Sequence, residues 1–374
     1  MNRQVKTMLC AGMRSLALRA GICGIVLLVI APFSCKLTEE GIRIVSLDKT
    51  APQIITFDIK QRSVLEMTCS EPMTLKEVVF RRADDADGAG QPVRIAYDAE
   101  NQSAELTLSA PTEIGVAYEL CGIVEDVNGN TLSFSLPFTG YNDNMPLMVF
   151  SEIRAGKGDK ASPKFVELYV LRAGNTSGLE LISGADGLEK KYAFPALSVQ
   201  AGEYITVHYC KESDAFSFAV DERGGQETFA LSHSDDGKIG VCDTSRDLWS
   251  VSEKNTRGFG KTDVMVLCRS DTNALMDAVL FAAEDIEEWS KTLQKELAAQ
   301  AVAAGIWESD SPEYAANGTN ATSSKTLCRT NIAALQASVP PDATVIPTCA
   351  DDWIVVKASF ATPGLPNSAE AFGN

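Results

Sequence analysis

Residues 148–170, MVFSEIRAGKGDKASPKFVELYV, decide how the chain is expected to fold. Two strand-like runs, 149–154 and 165–170, flank a polar loop that contains Gly, Lys, Asp, Ser and Pro. Phe150, Glu152 and Arg154 alternate with Val149, Ser151 and Ile153 in the first run, and Phe165, Glu167 and Tyr169 alternate with Val166, Leu168 and Val170 in the second. Because alternate side chains of a strand point to opposite faces, this pattern predicts two half-buried strands that form a β-hairpin with a long loop. We expect Glu152 and Glu167, one in each strand, to lie on the solvent face.

Four motifs in and after this hairpin carry a family resemblance. They are Ser151-Glu152-Ile153, Phe165-Val166-Glu167-Leu168-Tyr169, the Ala-Gly-Glu-Tyr at 201–204 and the Thr-Pro-Gly-Leu-Pro-Asn at 362–367. In this order they resemble the lamin-tail domain, an Ig-like β-sandwich. The resemblance implies one β-domain over 145–370, of a kind that serves interaction and tethering in secreted and surface bacterial proteins.

This region is longer than a typical lamin-tail domain, mainly through an insertion at 284–324. Residues 284–304 are rich in strong helix formers, acidic at the start and followed by Gly305, which predicts one inserted α-helix. Its apolar residues have the spacing of a face packed on the protein's own sandwich; they are Ile286, Trp289, Leu293 and Leu297. We expect the polar run 309–325 to be a mobile surface loop.

The C-terminal segment is expected to close this domain. Trp353-Ile354-Val355-Val356 is a strong β run, and the Thr-Pro-Gly at 362–364 predicts a turn after it. In a lamin-tail-like fold such a segment pairs back near the opening hairpin.

Residues 49–144 predict a separate domain. Seven short alternating runs, separated by turn clusters such as 84–88 and 128–130, are typical of a β-sandwich. The motifs Cys69-Ser70-Glu71-Pro72-Met73 and GIVEDVNGN at 122–130 resemble the Ig-like modules of bacterial surface-layer proteins and adhesins. In those proteins the module is mostly a spacer. The expected fold class is therefore mainly β, with two Ig-like β-sandwiches in tandem.

Asp126, Asn128 and Asn130 are weak candidates for metal ligands, because their oxygens alternate as in some calcium loops. A tight strand connection needs the same residues, since Asn and Gly tolerate positive φ. No glutamate follows at the distance that an EF-hand loop requires. We expect neither a metal nor another cofactor.

The N-terminal segment predicts export. Residues 1–34 contain four basic residues and no acidic one, and the apolar run at 22–31 is too short to span a membrane as a stable helix. The segment ends in Ser34-Cys35, followed by polar residues, and resembles a bacterial lipoprotein signal. The resemblance implies a signal peptide at 1–34, acylation of Cys35 and a lipidated tether at 35–48, with the outer membrane or cell surface favoured over the inner membrane.

Pro32 and Phe33 depart from the usual residues before the acylated cysteine. Cleavage elsewhere and an uncleaved membrane anchor are therefore the alternatives. Translation could start at Met1 or at Met13, and the mature product would be the same.

The composition argues against nucleic-acid binding. The chain has 33 Lys and Arg against 50 Asp and Glu, a net charge of −17, and no cluster of basic residues. Binding to phosphate backbones requires a basic surface. The two histidines, His208 and His233, exclude most zinc sites and leave few options for a Ser-His-acid arrangement. We expect His208 to be an exposed strand residue.

Seven cysteines follow Cys35, at positions 69, 121, 210, 242, 268, 328 and 349, so at least one has no partner within the chain. Cys69 and Cys121 fall on strands that an inter-sheet disulfide could join. Strand parity argues against this bridge, because Cys69 shares a face with Leu65 and Met67 whereas Cys121 alternates with Leu120.

These observations predict a lipid-anchored, exported cell-envelope protein that acts as a non-catalytic binding or scaffold module. Its expected partners are a membrane, through acyl chains on Cys35, and an unknown protein or glycan of the envelope or of a host surface. One alternative is a hydrolase of extracellular polymers, with Asp235-Asp236 or Asp351-Asp352 as the only candidate carboxylates. The other is a purely structural envelope protein.

Overall fold

A computed structural model describes residues 35–38, 41–44, 49–85, 88, 90–155, 164–211, 245–252, 259–322, 324–357 and 362–373. Two separate clusters of buried apolar side chains run from Leu65 to Phe138 and from Leu147 to Trp353. Each is enclosed by β-sheet. The mainly β fold with two sandwich-type domains is confirmed. Before the first cluster, β1 (Cys35–Thr38) and β2 (Gly41–Ile44) form a small antiparallel hairpin.

The first domain consists of seven strands. They are β3 (Ile54–Gln61), β4 (Val64–Cys69), β5 (Met73–Arg82), β6 (Gln91–Tyr97), β7 (Ser103–Leu108), β8 (Ala117–Asp126) and β9 (Thr131–Thr139). Their hydrogen-bonded order is β3-β4-β7-β6-β5-β8-β9, with β3 and β9 at the ends. Phe57 of β3 nevertheless contacts Phe138 of β9, with ring centroids 5.9 Å apart. The two ends of the order therefore meet around the core.

The second domain contains the remaining strands and two helices. Its strands are β10 (Leu147–Arg154), β11 (Lys164–Arg172), β12 (Gly174–Asn175), β13 (Leu179–Ser183), β14 (Tyr192–Ala193), β15 (Ser198–Val199), β16 (Tyr204–Lys211), β17 (Ser245–Ser252), β18 (Asp263–Arg269), β19 (Leu275–Ala282), β20 (Ala316–Asn317), β21 (Lys325–Arg329) and β22 (Trp353–Lys357). The helices are α1 (Thr292–Ala303) and α2 (Ile332–Ser338), and short 3-10 turns lie at Leu188–Lys190, Pro312–Tyr314 and Ala350–Asp352.

Two sheets form this domain. The larger has the order β17-β16-β11-β10-β21-β22 and the smaller the order β14-β13-β18-β19-β20, while β12 and β15 pair separately. Two pairs are parallel, β16 with β17 and β19 with β20. The sheets also share a hydrogen bond, since the Phe150 amide of β10 donates to the Asp277 carboxylate of β19 at 2.7 Å.

The expected hairpin is confirmed, because β10 and β11 pair antiparallel over nearly their whole length. The expectation that it is half-buried is wrong. All eight residues of β10 are buried, and Glu152 and Glu167 are fully buried rather than on the solvent face. The reason is a second cover: the C-terminal turn at 362–367 lies over the face that carries the glutamates.

The inserted helix is present but shorter than expected. It begins at Thr292, and the acidic segment 284–291 is not helical. Trp289 holds this segment against the domain, because its indole Nε1 donates to the Asp310 carbonyl at 2.6 Å. Trp289 and Leu297 are buried, so the packing of the apolar stripe on the protein's own core is confirmed.

Two further expectations concern the polar run 309–325 and the closing strand. The run 309–325 is not a loose loop, because Ala316 and Ala321 are fully buried and β20 extends the smaller sheet beside β19. Its hydrophilic residues suggested exposure, but its alanines pack on the core. The closing strand is confirmed: β22 pairs with β21, which pairs with β10 of the opening hairpin.

Candidate functional site

A cleft of about 970 Å³ lies between the two domains. One wall is built by the consecutive residues 57–60 of β3, together with Gly115 and residues 139–142. The opposite wall comes from the second domain, through residues 177–178, 194–196 and the β18–β19 turn at 269–272. Its volume is near the upper end of the range for ligand sites, about 300–1,000 Å³.

The walls touch at Gly115. A Cβ atom at this position would lie 2.3 Å from the Cβ of Ala196 and 3.0 Å from the Oγ of Ser177. Gly115 also has a φ of +75°, which side chains other than glycine rarely adopt. The two domains therefore approach each other at a point where only glycine fits.

The connection between the domains is fixed by Asn142, which is buried. Its side-chain Nδ2 donates to the carbonyls of Asn175 at 2.7 Å and Ser177 at 2.8 Å, and its Oδ1 accepts from the Asn144 amide at 3.0 Å. A polar side chain satisfied on both ends in this way holds the linker against the second domain. The cleft is thus preformed by covalent connection, close packing and hydrogen bonds.

The charged side chains of the cleft occur in pairs. Lys60 Nζ lies 3.4 Å from Asp58 and 2.9 Å from Glu66, and Arg269 Nη2 lies 2.5 Å from Asp271. The hydrogen bonds from Arg269 hold the pKa of the Asp271 carboxyl below its usual value, so this group is ionised at neutral pH. The walls therefore present fixed charges of both signs next to the partly buried rings of Phe57 and Tyr141.

A second concentration of titratable groups lies inside the larger sheet of the second domain. Strand register aligns Asp247 with Thr206, Thr206 with Glu167, Glu167 with Glu152 and Glu152 with Cys328. Residues that are directly opposite share a face. They form one buried polar row across β17, β16, β11, β10 and β21, and each of the five is fully buried.

The C-terminal turn covers this polar row. The Thr362 amide donates to Glu152 at 3.0 Å and the Gly364 amide donates to Glu167 at 2.5 Å. Asn367 of the same turn adds two hydrogen bonds. Its Nδ2 donates to the Ser151 carbonyl at 3.0 Å and to the Arg329 carbonyl at 2.9 Å. The two glutamates thus act as acceptors that fasten the end of the chain to the sheet.

Burial raises the pKa of both glutamates, because a charged carboxylate loses its hydration inside the protein. The pKa of Glu167 lies well above its usual value, and the neighbouring charge of Glu152 raises it further. The amides of Thr362 and Gly364 act in the opposite direction, because they stabilise the ionised form. Burial and the mutual repulsion of the pair therefore favour a protonated carboxyl in this row.

His208 lies beside the row and is fully buried, so the expectation of an exposed residue is wrong. Its Nε2 is 2.7 Å from Asp247 Oδ1, and its ring makes an edge contact with Phe165. Asp247 comes from β17, which pairs in parallel with β16. Strand alternation gave no sign of this additional strand, and His208 is covered on the side where the sequence suggested solvent.

The weak metal candidates form a turn. Asp126 accepts hydrogen bonds from the amides of Asn128 at 2.8 Å and Asn130 at 2.7 Å, and from the Asn130 side chain at 2.7 Å. The Asp126 carboxylate thus accepts hydrogen bonds from the turn that connects β8 to β9. Among the described residues, no group of three or more His, Cys, Asp or Glu is placed to hold a metal ion.

Of the two acidic pairs considered for hydrolysis, Asp351-Asp352 is described and does not line the cleft. Residues 235–236 lie outside the described part of the chain. Asp352 accepts hydrogen bonds from Thr348, Cys349 and Asn331, at 2.9, 3.1 and 2.6 Å, and organises the turn before β22. The acidic residues that do line the cleft, Asp58 and Asp271, were not singled out by sequence, because nothing in the sequence brings β3 next to the β18–β19 turn.

Among the cysteines whose side chains the structure describes, five are free thiols: Cys69, Cys121, Cys268, Cys328 and Cys349. The parity argument against a bridge between Cys69 and Cys121 is confirmed. Cys35 lies in β1, and nothing is described of its side chain. Within the described ranges, no helix has the length and apolar character needed to cross a membrane.

The fold and the cleft define a two-domain β-sandwich protein with a preformed groove at the domain junction. A family model described as TP_1001_2nd, protein second domain, matches residues 146–355, which is more than half of the chain. The chain belongs to this family. An uncharacterised protein of Treponema pallidum (strain Nichols) is 31% identical over 169 residues, which are 45% of this chain and 40% of that protein. The chain thus spans less than half of that relative.

Similarity to solved structures is weak. The N-terminal part of the bacterial S-layer protein SbsC is 14% identical over 63% of this chain and 45% of that one, with a TM-score of 0.23. A DUF4876 family protein from Bacteroides thetaiotaomicron is 12% identical over 59% of this chain and 76% of that one, with a TM-score of 0.20. At these scores neither structure carries an argument about function.

Proposed function

We propose that this protein is an exported, lipid-anchored protein of the bacterial cell envelope that acts as a non-catalytic binding or scaffold module. The observation that carries the proposal is the N-terminal segment, in which basic residues, a short apolar run and Ser34-Cys35 precede a polar stretch. Acyl chains on Cys35 would anchor the chain, since each buried methylene contributes about 0.8 kcal/mol.

The second domain supports a lamin-tail-like module. The motifs that carry the resemblance lie far apart in sequence, yet they contact one another in the fold. Asn367 of the last motif donates to Ser151 of the first, and Gly364 donates to Glu167 of the second. If this domain shares the lamin-tail fold, residues of the shared motifs are expected to contact one another in this way.

The use of the buried acids supports a non-catalytic role. Glu152 and Glu167 are fully buried and accept hydrogen bonds from the C-terminal turn, so they are engaged in closing the domain. The cleft between the domains is an accessible feature of the described residues that a partner from the envelope or a host surface could enter. Anchoring through Cys35 would hold this cleft at the outer membrane or the cell surface.

The proposal is tested by the Cys35→Ala variant, expressed as the full chain in a bacterium that processes lipoproteins. We expect the wild-type protein to partition into the detergent phase of a phase-separating detergent, and the variant to accumulate as an unprocessed precursor. Cys23→Ala, a cysteine substitution within the signal for either start codon, is the matched control and should partition as the wild type does. A processed Cys35→Ala protein that still enters the detergent phase would show that the anchor is not an acyl group on Cys35.

A further inference from the structure

The cleft between the domains runs along the edge of a strand. It is lined by four consecutive residues of β3, Phe57 to Lys60. Successive side chains of a strand point to opposite faces, so a cavity that meets all four must lie beside the backbone and not over one face. β3 is also the terminal strand of its sheet, and its pairing in the order is with β4.

This edge carries main-chain hydrogen-bonding groups without a strand partner in the described chain. The register with β4 is regular from Thr56 to Ile59 and shifts on either side of that run. No hydrogen bond to the backbone of another strand is found along the other edge of this run, within the residues that the structure describes. An unpaired edge of this kind is a template for an additional strand.

The backbone groups along this edge of β3 indicate which kind of ligand could bind there. Alternating N–H and C=O groups along an extended backbone are complementary to another extended polypeptide, which adds as a strand through main-chain hydrogen bonds. At about 3.3 Å per residue, the lined part of β3 offers roughly 13 Å, enough to pair with a segment of about four residues. The opposite wall at 269–272 would contact the side chains of such a segment.

The charges of the cleft favour a basic segment. The side chain of Asp58 is 54% exposed against 47% for its partner Lys60, and that of Asp271 is 47% exposed against 27% for Arg269. The acids are thus more accessible than the bases. Glu66 adds another carboxylate beside Lys60, and the whole chain carries −17. A positively charged partner is therefore attracted at long range and matched locally.

We propose that the cleft is a docking site for an extended, basic polypeptide segment of a partner protein, which pairs with the free edge of β3. This inference rests on the proposed binding function and specifies its ligand class. Asp58 and Asp271 would contact basic side chains of the segment from opposite walls, while the peptide backbone would bind along residues 57–60. The preformed walls would reduce the ordering that binding requires.

The proposal can be tested with the full chain, purified in detergent and immobilised, and a phage-displayed library of random peptides as the probe. We expect enrichment of peptides rich in Lys and Arg. The double variant Asp58→Lys with Asp271→Lys should weaken binding of a selected peptide at least about tenfold. The variant Glu100→Lys, which makes the same charge change at an exposed position outside the cleft, should leave affinity within about twofold.

N-methylation of the selected peptide isolates strand pairing from charge attraction. Only alternate amides of an added strand face β3. Methylation of the amides that face β3 should therefore abolish binding, whereas methylation of the amides between them should be tolerated. Equal tolerance at both parities, enrichment of acidic or uncharged peptides, or no enrichment would overturn the proposal. These outcomes are independent of detergent partitioning, so the peptide site could fail while the lipid anchor is upheld.

Discussion

The amide of Gly364 donates a 2.5 Å hydrogen bond to the carboxylate of Glu167, which lies 197 residues earlier in the chain. This contact places the C-terminal turn on the strands that open the second domain. The neighbouring bond from Thr362 to Glu152 repeats the arrangement one strand away. The domain is therefore closed by its two ends, and removal of the turn would expose two buried acids.

Asn367 should be the most sensitive residue of this turn. Its Nδ2 has three acceptors, the Ser151 carbonyl and hydroxyl and the Arg329 carbonyl. Asn367→Ala leaves these groups without their donor, so we expect the free energy of unfolding to fall by about 1–3 kcal/mol in denaturant titrations. Ser368→Ala, next in the chain, removes only an exposed bond to the Glu370 amide and should change it by less than about 0.5 kcal/mol. Equal effects of the two substitutions would contradict the role of Asn367 as the donor that holds the turn.

Asp263 should make stability depend on pH. It is fully buried, and burial raises its pKa to about 6 from an ordinary value of 3.8. The folded protein therefore holds this proton more tightly than the unfolded chain, and stability is lost as pH rises from about 4 to about 6. At 1.36 kcal/mol per pH unit, this loss is about 3 kcal/mol.

The isosteric Asp263→Asn variant keeps acceptors for the Ala185 and Val264 amides but cannot ionise. Between about pH 4 and about pH 6, we expect the unfolding free energy of the wild type to fall relative to that of the variant. Above about pH 6 the difference between the two should stay constant. Asp271→Asn is a control of opposite sign, because pairing with Arg269 lowers the pKa of Asp271 and its contribution is lost as pH falls. A wild-type-minus-variant difference that is independent of pH would show that Asp263 is not the titrating group.

The contact between domains at Gly115 is testable by comparing two glycines. Gly115 and Gly129 both have positive φ, but a Cβ at Gly115 would overlap Ala196 whereas Gly129 has nothing within 4 Å. Alanine at either position introduces similar backbone strain. Only Gly115→Ala should also separate the domains, and we expect it to cost about 1–3 kcal/mol more in thermal or chemical unfolding. Equal losses would mean that the domains do not pack there.

Asp126 should behave as a turn residue. Its carboxylate accepts from the amides of Asn128 and Asn130. Asp126→Ala should therefore lower the free energy of unfolding by about 1–3 kcal/mol, whether or not calcium is present. Millimolar calcium should leave the melting temperature of the wild type unchanged, and a calcium-dependent rise that is lost in the variant would instead establish a metal site.

Sequence patterns were sufficient where structure is local. The alternation in 149–154 and 165–170 predicted β10 and β11, and Trp353 to Val356 predicted β22, because strand formation there follows from side-chain periodicity. Gly305 correctly marked the end of α1. The start of α1 could not be read from composition, since the segment before Thr292 is fixed by a tertiary contact, the hydrogen bond from Trp289 to the Asp310 carbonyl.

Properties that depend on distant segments were missed for a common reason. Glu167 and His208 were both expected on exposed faces, but Glu167 lies under the C-terminal turn, and His208 contacts Asp247 of β17 and the ring of Phe165. The cleft was missed in the same way, because Asp58 and Asp271 are ordinary surface acids in sequence and meet only through the packing of two domains. Period-two patterns identify strand faces but do not show what covers a face.

The central claim, that the protein is anchored through acylated Cys35, is tested most directly by the intact mass of the mature protein purified from membranes of a lipoprotein-processing bacterium. The account predicts a chain that begins at Cys35, with the added mass of acyl chains confined to the N-terminal peptide. A mature chain that begins at another residue, or one in which Cys35 carries a free thiol, would contradict it.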